Sequence, residues 1–266
     1  VRPLAELPNE IARDVLGVAF DVDDTLTRYG RLERAAYEAL WALHEAGVRL
    51  VAVTGRPLGF AEVYARQWPI DVAVGENGAG WIAWDGSQGD RRRAGFAADL
   101  GELDRHRAVL DRIAHRVANE IPTLPLAADA WLRRCDLAWD VGEAHHATDD
   151  ERARFVAICT EEGASVTTSS VHTHAVPGRW DKATGIELAL RDALGLPLDD
   201  ARWIFVGDSG NDEAAFARFP LTSVGVANLR VDALRHRPAY LASLGHGEGF
   251  AEVAARVLEA RVGARP

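Results

Sequence analysis

The sequence predicts an α/β fold: a doubly wound, parallel, Rossmann-like core sheet that carries an inserted α+β cap. Three observations predict it. Short apolar runs alternate with helical periodicity from residue 16 to residue 84, the same alternation resumes after Pro177-Gly178, and the block between follows a different rhythm built around one long helical segment. Residues 1–84 and 179–266 are therefore assigned to the core and 85–178 to the cap. A chain of 266 residues is long enough to bury two such units.

Leu16 to Val22 is a compact β-rich run that ends abruptly in acids, as a buried parallel strand does when its carboxyl end opens onto a site. Glu33 to Glu45 sets Ala36, Leu40 and Leu43 at helical spacing and stops at Gly47, a suitable helix cap. With Arg49 to Val53 as the next strand, one βαβ unit is complete. Thr54-Gly55-Arg56-Pro57 follows, then a helix from about Leu58 to Trp68, a strand at Asp71 to Val74, and a turn at Asn77-Gly78 leading into Trp81 to Trp84. The cap block reads as a helix from Leu100 to Glu120, a strand at Asp136 to Val141, a helix at Asp149 to Glu162 and one strand from Ser165 to Val176. Back in the core, a helix from Lys182 to Leu194, a strand at Trp203 to Val206, a helix after Asn211, a strand at Ser223 to Val226 and a closing helix near Phe250 to Ala260 finish the chain.

Composition excludes several function classes. A hydrophobic fraction of 48% and a mean hydropathy of −0.12 describe an ordinary globular chain and not a disordered or coiled one. The net charge of −10 argues against nucleic acid, whose phosphates it would repel, and Arg91-Arg92-Arg93 is a small basic run that solvent can satisfy. Cys135 and Cys159 have neither paired nor zinc-knuckle spacing, which fits a reducing, cytoplasmic setting. Charges interrupt the first twenty residues, and no run is apolar enough for a membrane span.

Four segments carry chemistry. In Asp21-Val22-Asp23-Asp24-Thr25 the period-two geometry puts Asp21 and Asp23 on one side, and three neighbouring acids call for a cation, although such a cluster can also be mere loop capping. Thr54-Gly55-Arg56 lies at a strand-to-helix turn, where a hydroxyl and free backbone N–H groups can hold an anion, while alone it is also a common turn. Lys182 is the single lysine among 30 basic residues; a compact ammonium suits neutralising a carboxylate and a phosphate where a guanidinium fork would not fit. Gly207-Asp208-Ser209-Gly210-Asn211-Asp212 again follows a strand, with Asp208 and Asp212 as oxygen ligands for a hard cation.

In this order, on these strands, the four segments closely resemble the motifs of the haloacid dehalogenase-like phosphatases. The insertion between the second and third motifs resembles the cap of type II members. Glu76-Asn77-Gly78-Ala79 resembles a loop common in the IIB (Cof-like) group, which contains sugar-phosphate phosphatases and phosphomannomutases. The chain departs from the pattern at Asp24, where the family usually has glycine or asparagine. The resemblance implies a phosphatase in which Asp21 attacks phosphorus, forming an aspartyl-phosphate, and Asp23 acts as general acid and then base. It implies Mg²⁺ held by Asp21, the carbonyl of Asp23 and Asp208, with Asp212 in the same metal cluster. Thr54 and Lys182 would bind the phosphoryl oxygens, with Gly55, Arg56 and Asn211 in the same substrate-binding set, Asn211 and Asp212 would support the metal shell and Lys182, and the partner is a small phosphate ester acted on by a monomer or a homodimer.

Substrate selection then belongs to the cap. Ser170, His172 and His174 share a face of the Ser165 to Val176 strand, and Arg134 precedes its neighbour, so Arg134, His172 and His174 are candidates for substrate contacts. The competing reading is a solvated polar face. A metal pair at His172 and His174 lacks a third ligand. A phosphohexomutase would use the same two aspartates. A receiver-type phosphoacceptor is disfavoured, because its aspartate lies on a later strand and its chain is one small domain.

Overall fold

The computed structural model describes residues 1–85, 91–169, 171–199 and 201–263. The chain begins with β1 (Arg2–Pro3), α1 (Asn9–Asp14) and β2 (Gly17–Asp21), followed by a small hairpin, β3 (Thr27–Arg28) and β4 (Arg31–Leu32). It continues through α2 (Arg34–Glu45), β5 (Arg49–Val53), α3 (Leu58–Gln67), β6 (Val72–Gly75), β7 (Gly80–Asp85) and β8 (Arg91–Phe96). Next come α4 (Leu100–Glu120), β9 (Leu137–Asp140), α5 (Asp149–Glu161), β10 (Ser165–Thr168) and β11 (His172–Val176). The last third holds α6 (Lys182–Ala189), β12 (Trp203–Gly207), α7 (Glu213–Arg218), β13 (Ser223–Gly225), β14 (Tyr240–Leu241) and α8 (His246–Val262).

Nine strands form one sheet in the order β1-β14-β13-β12-β2-β5-β6-β7-β8, parallel from β1 to β6 and antiparallel over β6-β7-β8. Strand order runs outward from β2 in both directions, so its carboxyl end is the crevice where such sheets bind ligands. Both faces of the centre are covered. Val18 and Phe20 of β2, with Leu50 and Ala52 of β5, enter one apolar cluster, whereas Ala19, Val51 and Val53 enter the cluster on the other face. This is why these strands read as unbroken apolar runs instead of alternating ones.

The inserted block has an apolar core of its own. The sheet β10-β11-β9 packs Trp139 and Ala175 against Ile113 and Val117 of α4 and Phe155 and Ile158 of α5. Both helices start at capping boxes, Asp99 with Glu102 and Thr148 with Glu151, and each box satisfies two N–H groups that a helix end leaves open.

The structure departs from the sequence expectations at four places. Arg91–Phe96, expected inside the inserted block, instead pairs with β7 on the edge of the large sheet, and Arg92 is tied to Glu62 of α3. Residues 165–176 form a hairpin and not a single strand, with Ser165 opposite Val176 and Thr168 opposite Thr173. Ser169 makes the turn, its hydroxyl accepting from the His172 N–H at 3.1 Å, while Ser170, expected on the same face as the histidines, lies outside the described residues. The helix at Lys182 ends in a π turn over Leu190–Leu194. The closing helix starts at His246, four residues early, because Gly247 and Gly249 lie too close to Leu26, Glu33 and Leu244 to carry a Cβ and so leave no apolar side chain to announce the first turn.

One close backbone approach seats Lys182. Gly78 has φ +109°, and a Cβ there would lie 2.0 Å from the Asp181 carbonyl oxygen; a Cβ on Gly185 would lie 2.4 Å from the Gly78 Cα. The first turn of α6 therefore rests directly on the loop after β6. Gly185→Ala should cost about 1–3 kcal/mol through overpacking, read as a lower urea midpoint at unchanged m-value. A midpoint equal to that of the wild type would show that the contact is not tight.

Candidate active site

Strand register sets the site. Asp21 ends β2 opposite Val53 of β5, and Phe20 stands opposite Val206 of β12, so Asp21, Thr54 and Asp208 leave three adjacent parallel strands at one level. Lys182 arrives from the far side, at the first position of α6, whose N-cap Asp181 accepts from the Thr184 N–H.

Lys182 is fully buried and forms 2.6 Å ion pairs with Asp21 Oδ1 and Asp212 Oδ1, with Asn211 Oδ1 at 3.2 Å. Burial opposes its charge, but Asp21 and Asp212 outweigh that and hold its pKa above the ordinary lysine value. Asp21 Oδ2 is left without a hydrogen bond among the described residues and belongs to an aspartate that lines the central cavity. Burial raises the Asp21 carboxyl to about 7 against the pull of Lys182, with the negative charges of Asp212 and Asp23 adding to the rise.

Asp21, Asp208 and Asp212 bring carboxylate oxygens within 4.8 Å of one another. Asp212 is already used. Its Oδ1 pairs with Lys182 while its Oδ2 accepts the N–H groups of Asp208 and Ser209, which makes it the brace of the loop after β12 more than a ligand. Among the described residues the Asp208 side chain holds only the Thr25 hydroxyl, and burial followed by the charges of Asp21 and Asp212 raises its pKa well above the usual carboxylate range. Two buried carboxylates that a single ammonium does not neutralise are an oxygen donor set that fits a hard divalent cation. Asp24 adds to this field: it adopts φ +58°, a left-handed conformation that explains the family's glycine or asparagine at this position, and its negative charge also raises the Asp208 carboxyl.

The second motif divides its duties. Thr54 is fully buried, and its hydroxyl accepts from the Arg56 N–H at 2.9 Å. The Arg56 guanidinium, expected to face an anion, is instead spent on carboxylates: Nε and Nη2 fork onto Asp23 at 2.9–3.1 Å, Nη1 lies 3.5 Å from Asp129, and Glu143 is 3.8 Å away. Asp23 is thus fixed in direction beside the cavity that it lines with Asp21, Gly55, Arg56, Ser169, His172, His174, Ser209 and Asn211. The space between these residues, part of it open to solvent, is about 330 Å³.

Two cap histidines reach the cavity and the expected arginine does not. Arg134 is exposed, its guanidinium lying 4.5 Å over the Phe96 ring, so it contacts the edge of the core and not the cavity. Its neighbour Arg133 is the buried one, donating to Asp136 at 2.9 Å, to Asp129 at 3.3 Å and to the Gly55 carbonyl at 3.0 Å. Arg133 therefore joins the cap to the second-motif loop. Glu76 makes a second joint: its carboxylate, fully buried, accepts N–H groups from Leu58 of the core and from Arg134, Cys135 and Asp136 of the cap. Burial and then the charge of Asp136 raise the Glu76 carboxyl to about 7, while these N–H groups pull it back. The sequence contained a sign of this cluster in Asp129, Arg133 and Asp136, whose spacing of four and three residues lets opposite charges meet.

Comparison with known proteins agrees with this arrangement. Residues 18–87 match the model of the haloacid dehalogenase-like hydrolases. A protein of Methanothermobacter thermautotrophicus named phosphoglycolate phosphatase is 28% identical, the match covering 91% of this chain and 98% of that protein. The crystal structure of protein 0175 of Thermoplasma acidophilum superposes with a TM-score of 0.71 at 17% identity, covering 92% of this chain and 98% of its own. A Bacteroides thetaiotaomicron haloacid dehalogenase-like hydrolase gives 0.67 at 17% identity over 91% and 99% of the two chains. The sucrose-phosphatase of Synechocystis, solved with sucrose and phosphate, gives 0.61 at 18% identity over 92% and 98%. With its four motifs gathered at one sheet edge beside an inserted block, the chain has the fold of the haloacid dehalogenase-like hydrolases, and residues 18–87 match the model of that family.

Proposed function

We propose that this protein is a divalent-cation-dependent phosphatase of a small phosphate monoester, with sugar phosphates as the first class to examine. One observation carries the reading: Asp21, held on one oxygen by the buried Lys182 and with no hydrogen bond on the other among the described residues, lines a partly open cavity beside Asp23. In the first step Asp21 Oδ2 forms a bond to phosphorus, the bond from phosphorus to the ester oxygen breaks, and Asp23 delivers a proton to the departing alkoxide. In the second, Asp23 takes a proton from water as its oxygen attacks the same phosphorus, releasing phosphate and restoring Asp21. Arg56 keeps Asp23 aimed at the ester oxygen. Thr54, Gly55 and Asn211 surround the phosphoryl oxygens, and Lys182 offsets charge that accumulates on them.

Asp21 and Asp208, with the Asp23 carbonyl, would hold Mg²⁺, which supplies charge neutralisation at the phosphoryl oxygens. The phosphatase names carried by the Methanothermobacter relative and the Synechocystis structure support the reaction class. The test is phosphate release from a panel of sugar phosphates and short phosphorylated acids, with and without chelator. Turnover that chelation abolishes and Mg²⁺ restores is expected, and full activity after exhaustive chelation would defeat the site. Isomerised monophosphate from a hexose bisphosphate, in place of free phosphate, would establish the mutase alternative.

A further inference from the structure

Resting on the phosphatase reading above, we propose that Asp136 and Glu143 lock the tautomers of His174 and His172 so that the cap presents unprotonated ring nitrogens to the cavity, selecting esters of neutral polyhydroxylated alcohols over esters that carry a carboxylate. Four observations carry this.

The first is the Asp136–His174 pair. His174 Nδ1 lies 2.9 Å from Asp136 Oδ2, both side chains are buried, and a carboxylate there can only accept, so the ring proton sits on Nδ1. Arg133 Nη1 passes 3.4 Å from the same nitrogen, but its protons are directed to the Gly55 carbonyl at 3.0 Å and Asp136 at 2.9 Å. The remaining nitrogen, Nε2, makes no hydrogen bond among the described residues, and the ring lines the cavity. It is a lone-pair acceptor.

The second is the parallel pair two residues away. His172 Nε2 donates to Glu143 Oε2 at 3.1 Å, which leaves Nδ1 as the acceptor on that ring. Because β11 alternates, both rings stand on one face, 6.2 Å apart.

The third is that burial, the leading influence on each ring, lowers both histidine pKa values, so neither supplies a cation for an anionic group. The fourth is charge. The guanidiniums of Arg56 and Arg133 on this wall face four carboxylates, Asp23, Asp129, Asp136 and Glu143, and every one of these cations is already paired. A carboxylate on the leaving group would meet lone pairs and excess negative charge, whereas hydroxyl groups would donate into them.

Asp136 acts through His174 and is a positioning residue, so its test needs a readout that a merely structural role would not move. In protein carrying ¹⁵N-histidine, a two-bond ¹H–¹⁵N correlation spectrum at pH 7.5 should show His174 protonated at Nδ1 and bare at Nε2. In Asp136→Asn the carboxamide can donate to Nδ1 and shift the proton to Nε2. Kinetically, glycerol 3-phosphate should be preferred over 3-phosphoglycerate, which differs by a carboxylate in place of a hydroxymethyl, by at least about 10-fold in kcat/KM. Asp136→Asn should collapse that ratio, and p-nitrophenyl phosphate turnover by the same variant gives the common loss against which the ratio is read. A proton on Nε2 in the wild type, preference for the carboxylate ester, or failure to hydrolyse either ester while the aryl phosphate turns over would each overturn the proposal. If Asp136→Asn does not fold, the wild-type spectrum and ratio decide. Absence of aryl phosphate turnover would count against the phosphatase reading instead, and the spectrum would still decide the tautomer.

Discussion

Asp21→Asn should lose turnover by about 10⁴-fold or more and form no phosphoenzyme, because a carboxamide oxygen is not a competent nucleophile toward phosphorus. The same substitution should stabilise the cation-free protein. Asp21 is raised from 3.8 to about 7, first by burial and then, against Lys182, by neighbouring carboxylates. A carboxyl with a folded pKa above its unfolded value binds its proton more tightly in the folded state, so it favours folding at low pH and loses that contribution as pH rises through about 4 to 7. At pH 8 in chelator the wild type carries the full penalty and the asparagine variant does not, so Tm should rise by a few degrees. Lower Tm together with lost activity would mean that the substitution merely damages the fold. Retained activity would exclude the covalent route.

That a single residue can be active and destabilising explains which parts of the site were legible in the sequence. Asp21 ends a buried strand, Thr54 and Asp208 sit one step beyond one, and Lys182 opens a helix, each where an apolar run stops at a polar residue without a local reason for it. Such interruptions are local signals. Arg133 and Arg134 show the opposite case: which of two adjacent arginines turns inward depends on the 3₁₀ turn Ala130–Leu132 just before them, and no periodicity of two or 3.6 resolves a one-residue choice after such a turn. Glu76 was visible as part of a familiar loop, but its role depends on amides roughly sixty residues away, a pairing that composition and spacing do not encode. The hairpin at β10 and β11 hid for a related reason. Its threonines and histidines keep an extended pattern on both sides of the turn, so little besides the Ser169-Ser170 pair marks the reversal in the sequence. The two-residue strands β1 and β14 are too short to show any period, and their pairing is fixed by the sheet edge that they cover.

Lys182→Met should lower kcat for every phosphate ester alike, an activated aryl phosphate included, by about 10²–10³-fold, since the charge removed acts on the phosphoryl group common to all of them. Methionine keeps an unbranched chain of similar length in the fully buried slot, so the change isolates charge from volume. Arginine would not, because the ammonium is gripped at 2.6 Å by both Asp21 and Asp212 and no room is left for a planar fork. Without the ammonium, Asp21, Asp208 and Asp212 lose the buried counter-charge that Lys182 supplies, and the cation-free variant should melt well below the wild type. Mg²⁺ should then raise Tm more in the variant than in the wild type, because a more negative site binds a divalent cation more tightly and binding to the folded state alone stabilises it. An equal Mg²⁺ increment in both proteins would show that the cation and Lys182 do not share these carboxylates. A kcat loss confined to the preferred ester would place Lys182 in substrate selection, contrary to its ion pairs with Asp21 and Asp212.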